Sequence, residues 1–201
     1  MNFDNDIILD NELVLLKPFS KEDFDGFAEI AFNERIWEGT TPMVLTEDDL
    51  GKYMDRVLRE KENKIRYPFT IIDRSKNKIA GSTSFLNISE FHKRLEIGST
   101  WLGIEFQRTG LNRVCKFLLG QYVFEELKYE RLEFKTDALN EQSRNALKKI
   151  GAKEEGILRS HMEMNFGRRR DSVYYSILKD EWPKIKETVF REFWDSKLIH
   201  K

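Results

Sequence analysis

The stretch Ile97-Gly98-Ser99-Thr100-Trp101-Leu102-Gly103-Ile104-Glu105-Phe106-Gln107-Arg108-Thr109-Gly110-Leu111-Asn112 decides how this chain folds. Its first six residues are β-branched, small and aromatic, which suits a strand. Gln107–Asn112 is a polar, glycine-containing turn. Leu111, Val114, Cys115, Leu118 and Tyr122 then recur at i, i+3 and i+4, and the spacing predicts a helix with one apolar face. A strand running through a short turn into a helix leaves the first N–H groups of that helix unpaired. With the positive end of the helix dipole they form a site for an anion such as a phosphate. Gly110 lacks the side chain that would obstruct close approach.

Upstream, Leu13–Leu16 is a short apolar run closed by Pro18 and reads as a strand. Ser20 with Asp23 starts a helix carrying Phe24, Phe27, Ala28 and Ala31, and Trp37–Pro42 is a loop. Thr46 followed by Glu47-Asp48-Asp49 starts a second helix with acids at the positive end of its dipole. Tyr67–Ile72 and Ile79–Leu86, joined by the polar turn Asp73–Lys78, read as a hairpin. Downstream, Arg131–Thr136 alternates charged and apolar side chains, as a strand with one solvated face does. Asn140–Ile150 is a short helix, with Asn140 a candidate N-cap and Gly151 its stop. Gly156–Met164 and Asp171–Leu178 form a last hairpin. A polar, partly amphipathic helix closes the chain.

The order β-α-α-β-β-β-α-β-α-β-β predicts an α/β protein of the α+β type, with a mostly antiparallel sheet and one parallel crossover around the central helix. No repeat or composition shift marks a linker, so residues 1–201 are expected as a single domain. Its core would span about 11–183, with 184–201 a C-terminal helical tail. Charged residues make up 34 % of the chain, yet the formal net charge is −1. That balance gives no global field for nucleic acid or an anionic membrane. The single cysteine, Cys115, fits a reducing compartment. The acidic start Met1-Asn2-Phe3-Asp4 lacks the pattern of a signal peptide, and no apolar run reaches the ~18 residues of a membrane span. The expected location is cytoplasmic.

Several segments together resemble one family. A strand followed by Gln107-x-x-Gly110-x-Asn112 and a helix looks like the acyl-CoA pyrophosphate loop of the GNAT acetyltransferases, written Gln/Arg-x-x-Gly-x-Gly/Ala. Asn140-x-x-Ser143, Gly151-Ala152, Arg159-Ser160-His161-Met162-Glu163, Gly167, Arg170-Asp171 and Glu181-Trp182-Pro183 are similar to the RimJ/RimL-like branch. That branch acetylates N-terminal amines of ribosomal proteins and includes relatives acting on small amines. The departure is Asn112, which stands where the family has Gly or Ala. Asparagine tolerates unusual backbone angles but adds a side chain.

The resemblance implies a GNAT fold, with a mixed, mostly antiparallel central sheet of six to seven strands flanked by helices. It implies acetyl-CoA as cosubstrate, no metal, and an N-acetyltransferase that moves the acetyl group to a primary amine in a ternary complex. The acceptor would be a protein N-terminus or a small amine, and a homodimer is left open. The cofactor would contact Trp101, Leu102, Gln107, Arg108, Thr109, Gly110, Leu111, Asn112 and Asn140. An amine attacks a thioester only when neutral, so a base is needed, and the tetrahedral intermediate needs an oxyanion donor. The resemblance gives the base role to Glu163, directly or through a water, and sets Ser143 near the thioester sulfur. The donor would be a backbone N–H near Trp101 or Leu102.

Each of these residues has a plainer use. Glu163 alternates with Met162 and Met164 and faces solvent or a cleft, and Glu96 competes for the base role. Asn140 and Ser143 are ordinary helix-start residues. Trp101 is a core residue by type, and Cys115 reads as a buried, inert thiol. His161 reads as structural. Arg168-Arg169-Arg170 is a solvated turn or a contact for an acidic substrate. A non-catalytic acyl-CoA-binding or interaction module is the alternative function.

Overall fold

The structure, a computed structural model, describes residues 1–41 and 43–194. Pro42 of the expected loop and residues 195–201 of the expected tail lie outside the described residues. The strands are β1 (Leu9–Asp10), β2 (Val14–Pro18), β3 (Arg66–Asp73), β4 (Lys78–Ser89), β5 (Arg94–Leu102), β6 (Arg131–Asp137), β7 (Lys153–Glu163) and β8 (Arg169–Leu178). The helices are α1 (Phe24–Ala31), α2 (Glu47–Glu62), α3 (Leu111–Gln121), α4 (Glu141–Lys149), α5 (Trp182–Thr188) and α6 (Arg191–Trp194). One sheet of eight strands runs β1-β2-β3-β4-β5-β6-β8-β7. Only β5 and β6 pair in parallel, because α3 carries the chain between them. The eighth strand, beyond the six to seven expected, is β1, a two-residue pairing of Leu9 and Asp10 with Leu16 and Leu15. It is too short to leave a periodicity in the sequence.

Two apolar layers cover the sheet. Val14, Leu16, Tyr67, Phe69, Ile71, Phe85, Leu95 and Ile97 pack with Leu111, Val114, Cys115 and Leu118 of α3. A second cluster joins Phe27 and Ala31 of α1, Leu50, Tyr53, Met54 and Val57 of α2, Trp37 and Trp101. Local chemistry sets these helices in place. Thr46 and Asp49 form a reciprocal capping box at the start of α2, which satisfies two N–H groups the helix leaves unpaired. Asn140 accepts from the Ser143 N–H at 2.9 Å and starts α4. Ser20, by contrast, makes no side-chain cap. Its hydroxyl turns to Glu22. The apolar stripe of α3 continues through a π-helical turn over Tyr122–Glu126. Among the described residues no helix is long and apolar enough to cross a membrane.

One irregularity shapes the centre of the sheet. Between β4 and β5, Ser84 faces Gly98 but Ser82 faces Trp101, so β5 carries one residue more than its partner. Ser99, with φ of 48°, takes up the extra length. An inserted residue inverts the side-chain alternation beyond it. Ile97 therefore packs toward α3, whereas Trp101, four residues on, packs toward α1 and α2. The bulge also bends β5, and its pairing with β6 stops at Glu96–Glu133.

Candidate active site

Beyond Glu96 the two parallel strands part, and a cleft of about 790 Å³ opens between them. One wall is β5 from Ile97 to Leu102 with Asn112 and Lys116 of α3. The other is Phe134–Asp137 with Leu139–Ser143 at the start of α4. The 35–41 loop closes one end, where a Cβ on Gly39 would come within 2.9 Å of Asn140 Nδ2. On its β6 side β5 has no strand partner after Glu96, so an edge of extended backbone faces the cleft.

The turn after β5 supplies the donors expected from its sequence. Arg108 and Gly110 take positive φ values of 62° and 90°. That geometry aims successive backbone N–H groups outward from the start of α3. The N–H groups of Arg108, Thr109, Gly110 and Asn112 meet no acceptor among the described residues, and that of Leu111 reaches only Thr109 Oγ1 at 3.4 Å. Nothing lies within 4 Å of a Cβ built on Gly110, so the space above the turn is open. Asn112 lines the cleft, and its Oδ1 is buried without a partner. That oxygen can only accept, so toward a phosphate this departure from the family loop offers the Nδ2 donor and not Oδ1. The residues present fit a diphosphate.

The other expected cofactor residues divide by side chain. Gln107 Nε2 donates to the Leu102 carbonyl at 3.1 Å and ties the turn to the strand end. Thr109 Oγ1 donates to the Phe106 carbonyl at 2.8 Å. The Leu111 side chain is buried in the core, and of the turn only Gln107, Arg108 and Asn112 line the cleft among the described residues. Trp101 is buried, donates through Nε1 to the Tyr53 hydroxyl at 3.0 Å, and still lines the cleft beside Leu102. Asn140 and Ser143 line the opposite wall, and the Ser143 hydroxyl has no partner among the described residues.

The two candidate bases are placed differently. Glu96 is 2 % exposed, lines the cleft where the strands part, and accepts from Asn87 Nδ2 at 2.8 Å and Lys135 Nζ at 3.2 Å. Glu163 is not among the groups brought together. It opposes Arg169 in the β7–β8 register, its side chain is 70 % exposed, and Arg169 stands 4.0 Å away. Its neighbour Met162, opposite Arg170, lines the cleft instead. His161 also lies outside the lining and meets Ser172 Oγ at 3.0 Å. Cys115 is fully buried, and burial pushes its thiol up to about 12, which leaves no thiolate for nucleophilic attack.

Lys116 went unnoticed in the sequence. It sits on α3 one turn after Asn112, an i, i+4 spacing that puts both on one face. Lys116 is buried, lines the cleft and donates to Thr100 Oγ1 at 2.9 Å. Burial lowers its pKa from the ordinary 10.5 to about 8.

The site thus brings a helix start with spare donors, an unpaired strand edge and a buried carboxylate together in one cleft. A family model described as "Acetyltransferase (GNAT) domain" matches residues 14–153, and the chain belongs to that family. It is 37 % identical over 105 residues to a Bacillus subtilis (strain 168) protein named "Putative ribosomal N-acetyltransferase YdaF". That match covers 52 % of this chain and 56 % of the relative, so the chain spans about half the length of the curated relative it matches. A GCN5-related N-acetyltransferase from Brucella melitensis superposes with a TM-score of 0.87 at 27 % identity, over 93 % of this chain and 85 % of that one. The ribosomal-protein-S5-alanine acetyltransferase of Vibrio fischeri shares the fold, with a TM-score of 0.69 at 21 % identity over 88 % of this chain and 99 % of that one. The GNAT membership expected from the motifs is met, and the expected likeness to ribosomal N-acetyltransferases holds over the 105 residues matched.

Proposed function

We propose that this protein transfers an acetyl group from acetyl-CoA to a primary amine, by direct attack in a ternary complex. The observation that carries the reading is the row of spare N–H groups from Arg108 to Asn112 beside the unpaired edge of β5. The relative named for ribosomal N-acetylation supports a protein N-terminus as acceptor, and a small amine remains within the same chemistry. The single cysteine and the absence of a global charge support a cytoplasmic enzyme that binds neither membrane nor nucleic acid.

Acetyl-CoA supplies an activated acyl carbonyl and a thiol leaving group. The chain supplies the rest. The N–H row and Asn112 hold the diphosphate, and Asn140 flanks the pantetheine arm. Glu96 takes the proton of the incoming amine through a water, oriented by Asn87 and Lys135. A backbone N–H of β5 near Trp101 or Leu102 faces the acyl oxygen, where a fixed dipole acts without reorganising. The Ser143 hydroxyl, which has no partner of its own among the described residues, donates to the departing sulfur. Cys115 stays out of the reaction, so no acetyl-enzyme forms.

The test is steady-state thiol release from acetyl-CoA with a panel of amines and N-terminal peptides. Turnover above the hydrolytic background with at least one acceptor class is the expected result. If CoA analogues bind but no amine raises turnover, the protein is a binding module on the same fold.

A further inference from the structure

Beyond the cofactor wall, the face of β6 and β8 that opens into the cleft is crowded with charges, and nearly all are paired. Lys135 meets Glu96 at 3.2 Å. Arg94 and Arg131 meet Glu133 at 3.0 and 2.7 Å. Arg168 pairs with Asp137. Burial is the largest single influence on the Asp137 carboxylate and acts to raise its pKa, but the bonds from Arg168 and the Leu139 N–H, with the charges of Arg168 and Arg170, together hold it below its ordinary value. That anion is therefore already committed.

Arg170 is the exception. It is 7 % exposed and lines the cleft, yet among the described residues no carboxylate lies within ion-pair distance of its guanidinium. Its Nε is sealed from solvent and donates to nothing. Burial presses its pKa below the ordinary value. Asp137 and Glu96 act on it only across a distance. A buried guanidinium with donors to spare normally finds a bidentate partner. The β7–β8 register sets Met162 opposite Arg170: it is a cleft-lining side chain that carries no charge to pair with the cation and whose thioether is only a weak acceptor.

We infer that Arg170 seats a carboxylate carried by the acceptor, so that the enzyme selects amines bearing an acidic group close to the reacting nitrogen. The inference rests on the transferase reading and names its acceptor class. It joins two opposite charges of one cleft: Glu96 draws in the amine and Arg170 the carboxylate. The carboxylate has two sources, the α-carboxylate of a free amino acid or an acidic side chain near a peptide N-terminus.

Calorimetry on the CoA-loaded protein tests it with product-like pairs that need no turnover. N-acetylalanine against N-acetylalaninamide probes the first source. N-acetyl-Ala-Glu-amide against N-acetyl-Ala-Gln-amide probes the second. In one pair the carboxylate member is expected to bind about tenfold tighter or better. Arg170→Gln should bring that ratio to within about twofold, and Arg170→Lys should restore part of it. A merely structural arginine would weaken both members alike when replaced, and that result would overturn the inference. So would equal or undetectable binding within both pairs of the parent protein, a result that does not depend on whether any variant folds. A binding preference with no acetylation of any amine would instead sink the transferase reading and leave the carboxylate seat standing.

Discussion

The two walls of the cleft use different parts of the chain. The β5–α3 wall offers main chain: an unpaired strand edge, four spare N–H groups from Arg108 to Asn112, and side chains that mostly face inward to the core. The β6–β8 wall offers side chains: Lys135, Asp137 and Arg170, placed by strand alternation, and Arg168, which lies in the turn just before β8. In the reading proposed above, the main-chain donors would recognise what every acyl-CoA shares, and the side-chain charges what differs between acceptors. The difference teaches where generality ends in this molecule. A change on the first wall should cost cofactor affinity, and a change on the second should alter which amine reacts.

Glu96 belongs to neither wall alone, since it stands at the point where they meet. Glu96→Gln therefore carries the largest expected effect. It should lower kcat by about a hundredfold or more, the usual range for a lost general base, while acetyl-CoA affinity by calorimetry changes little. Glu163→Gln sharpens the comparison. Turnover should follow Glu96, and a collapse of kcat with Glu163→Gln at intact Glu96 would return the base to β7.

That pair of carboxylates also marks the limit of what the sequence could say. The alternation Met162-Glu163-Met164 shows that Glu163 faces away from the methionines, but not which side is the cleft. The answer depends on β7 spending four residues, Leu158 to Met162, opposite two of β8, Ser172 to Arg170. Ser160, at φ of 51°, absorbs the excess, and no hydrophobic period betrays such a bulge in advance. The same holds for Ser99, whose bulge turns Trp101 to the opposite face. What was legible obeys local rules: the helix start at Thr46, the Asn140 cap, the hairpins, and the strand–turn–helix whose turn keeps spare N–H groups. Lys116 was hidden for another reason. A lysine next to an apolar stripe reads as solvated, because lysines are seldom buried.

Lys116 offers the next largest effect, on stability rather than on rate. Its folded pKa of about 8 lies below the ordinary 10.5. Above about pH 11 both folded and unfolded chains hold it neutral, and it contributes nothing. As pH falls through 10.5, the unfolded chain takes up its proton first, and folding is disfavoured. The penalty is complete below pH 8, and the shift corresponds to roughly 3 kcal/mol. Lys116→Met should thus raise stability at pH 7, with a gain that shrinks toward zero as the pH rises past 10.5. Denaturant titrations at pH 7 and pH 11 check this. A gain equal at both values would mean packing, not charge, is responsible.

Two glycines, Gly81 of β4 behind the first wall and Gly110 at its turn, separate conformational from steric demands. A Cβ on Gly81 would fall 2.0 Å from the Trp101 carbonyl oxygen, whereas one on Gly110 meets nothing. Gly110→Val is therefore expected to act through its φ of 90°, at a cost of about 1–2 kcal/mol for a residue forced to the left-handed region. The distorted turn should weaken acetyl-CoA binding about tenfold. Gly110→Asn should be milder on both counts, because asparagine tolerates that region. Unchanged calorimetric affinity in both variants would remove this turn from the phosphate site.

Asn140, on the side-chain wall, does two things with one side chain. Its Oδ1 caps α4 through the Ser143 N–H, and its Nδ2 end lies toward Gly39 at the mouth of the cleft. Asn140→Ala should cost about 1 kcal/mol of stability through the lost cap. Asn140→Asp keeps an oxygen for the cap, and gains from the helix dipole, but loses the donor. If the amide also flanks the pantetheine arm, Asn140→Asp should hold the parent's melting temperature and still bind acetyl-CoA several-fold more weakly. Affinity that recovers together with stability in the aspartate variant would reduce Asn140 to a cap, and would leave Ser143 alone to represent the helix start in the chemistry.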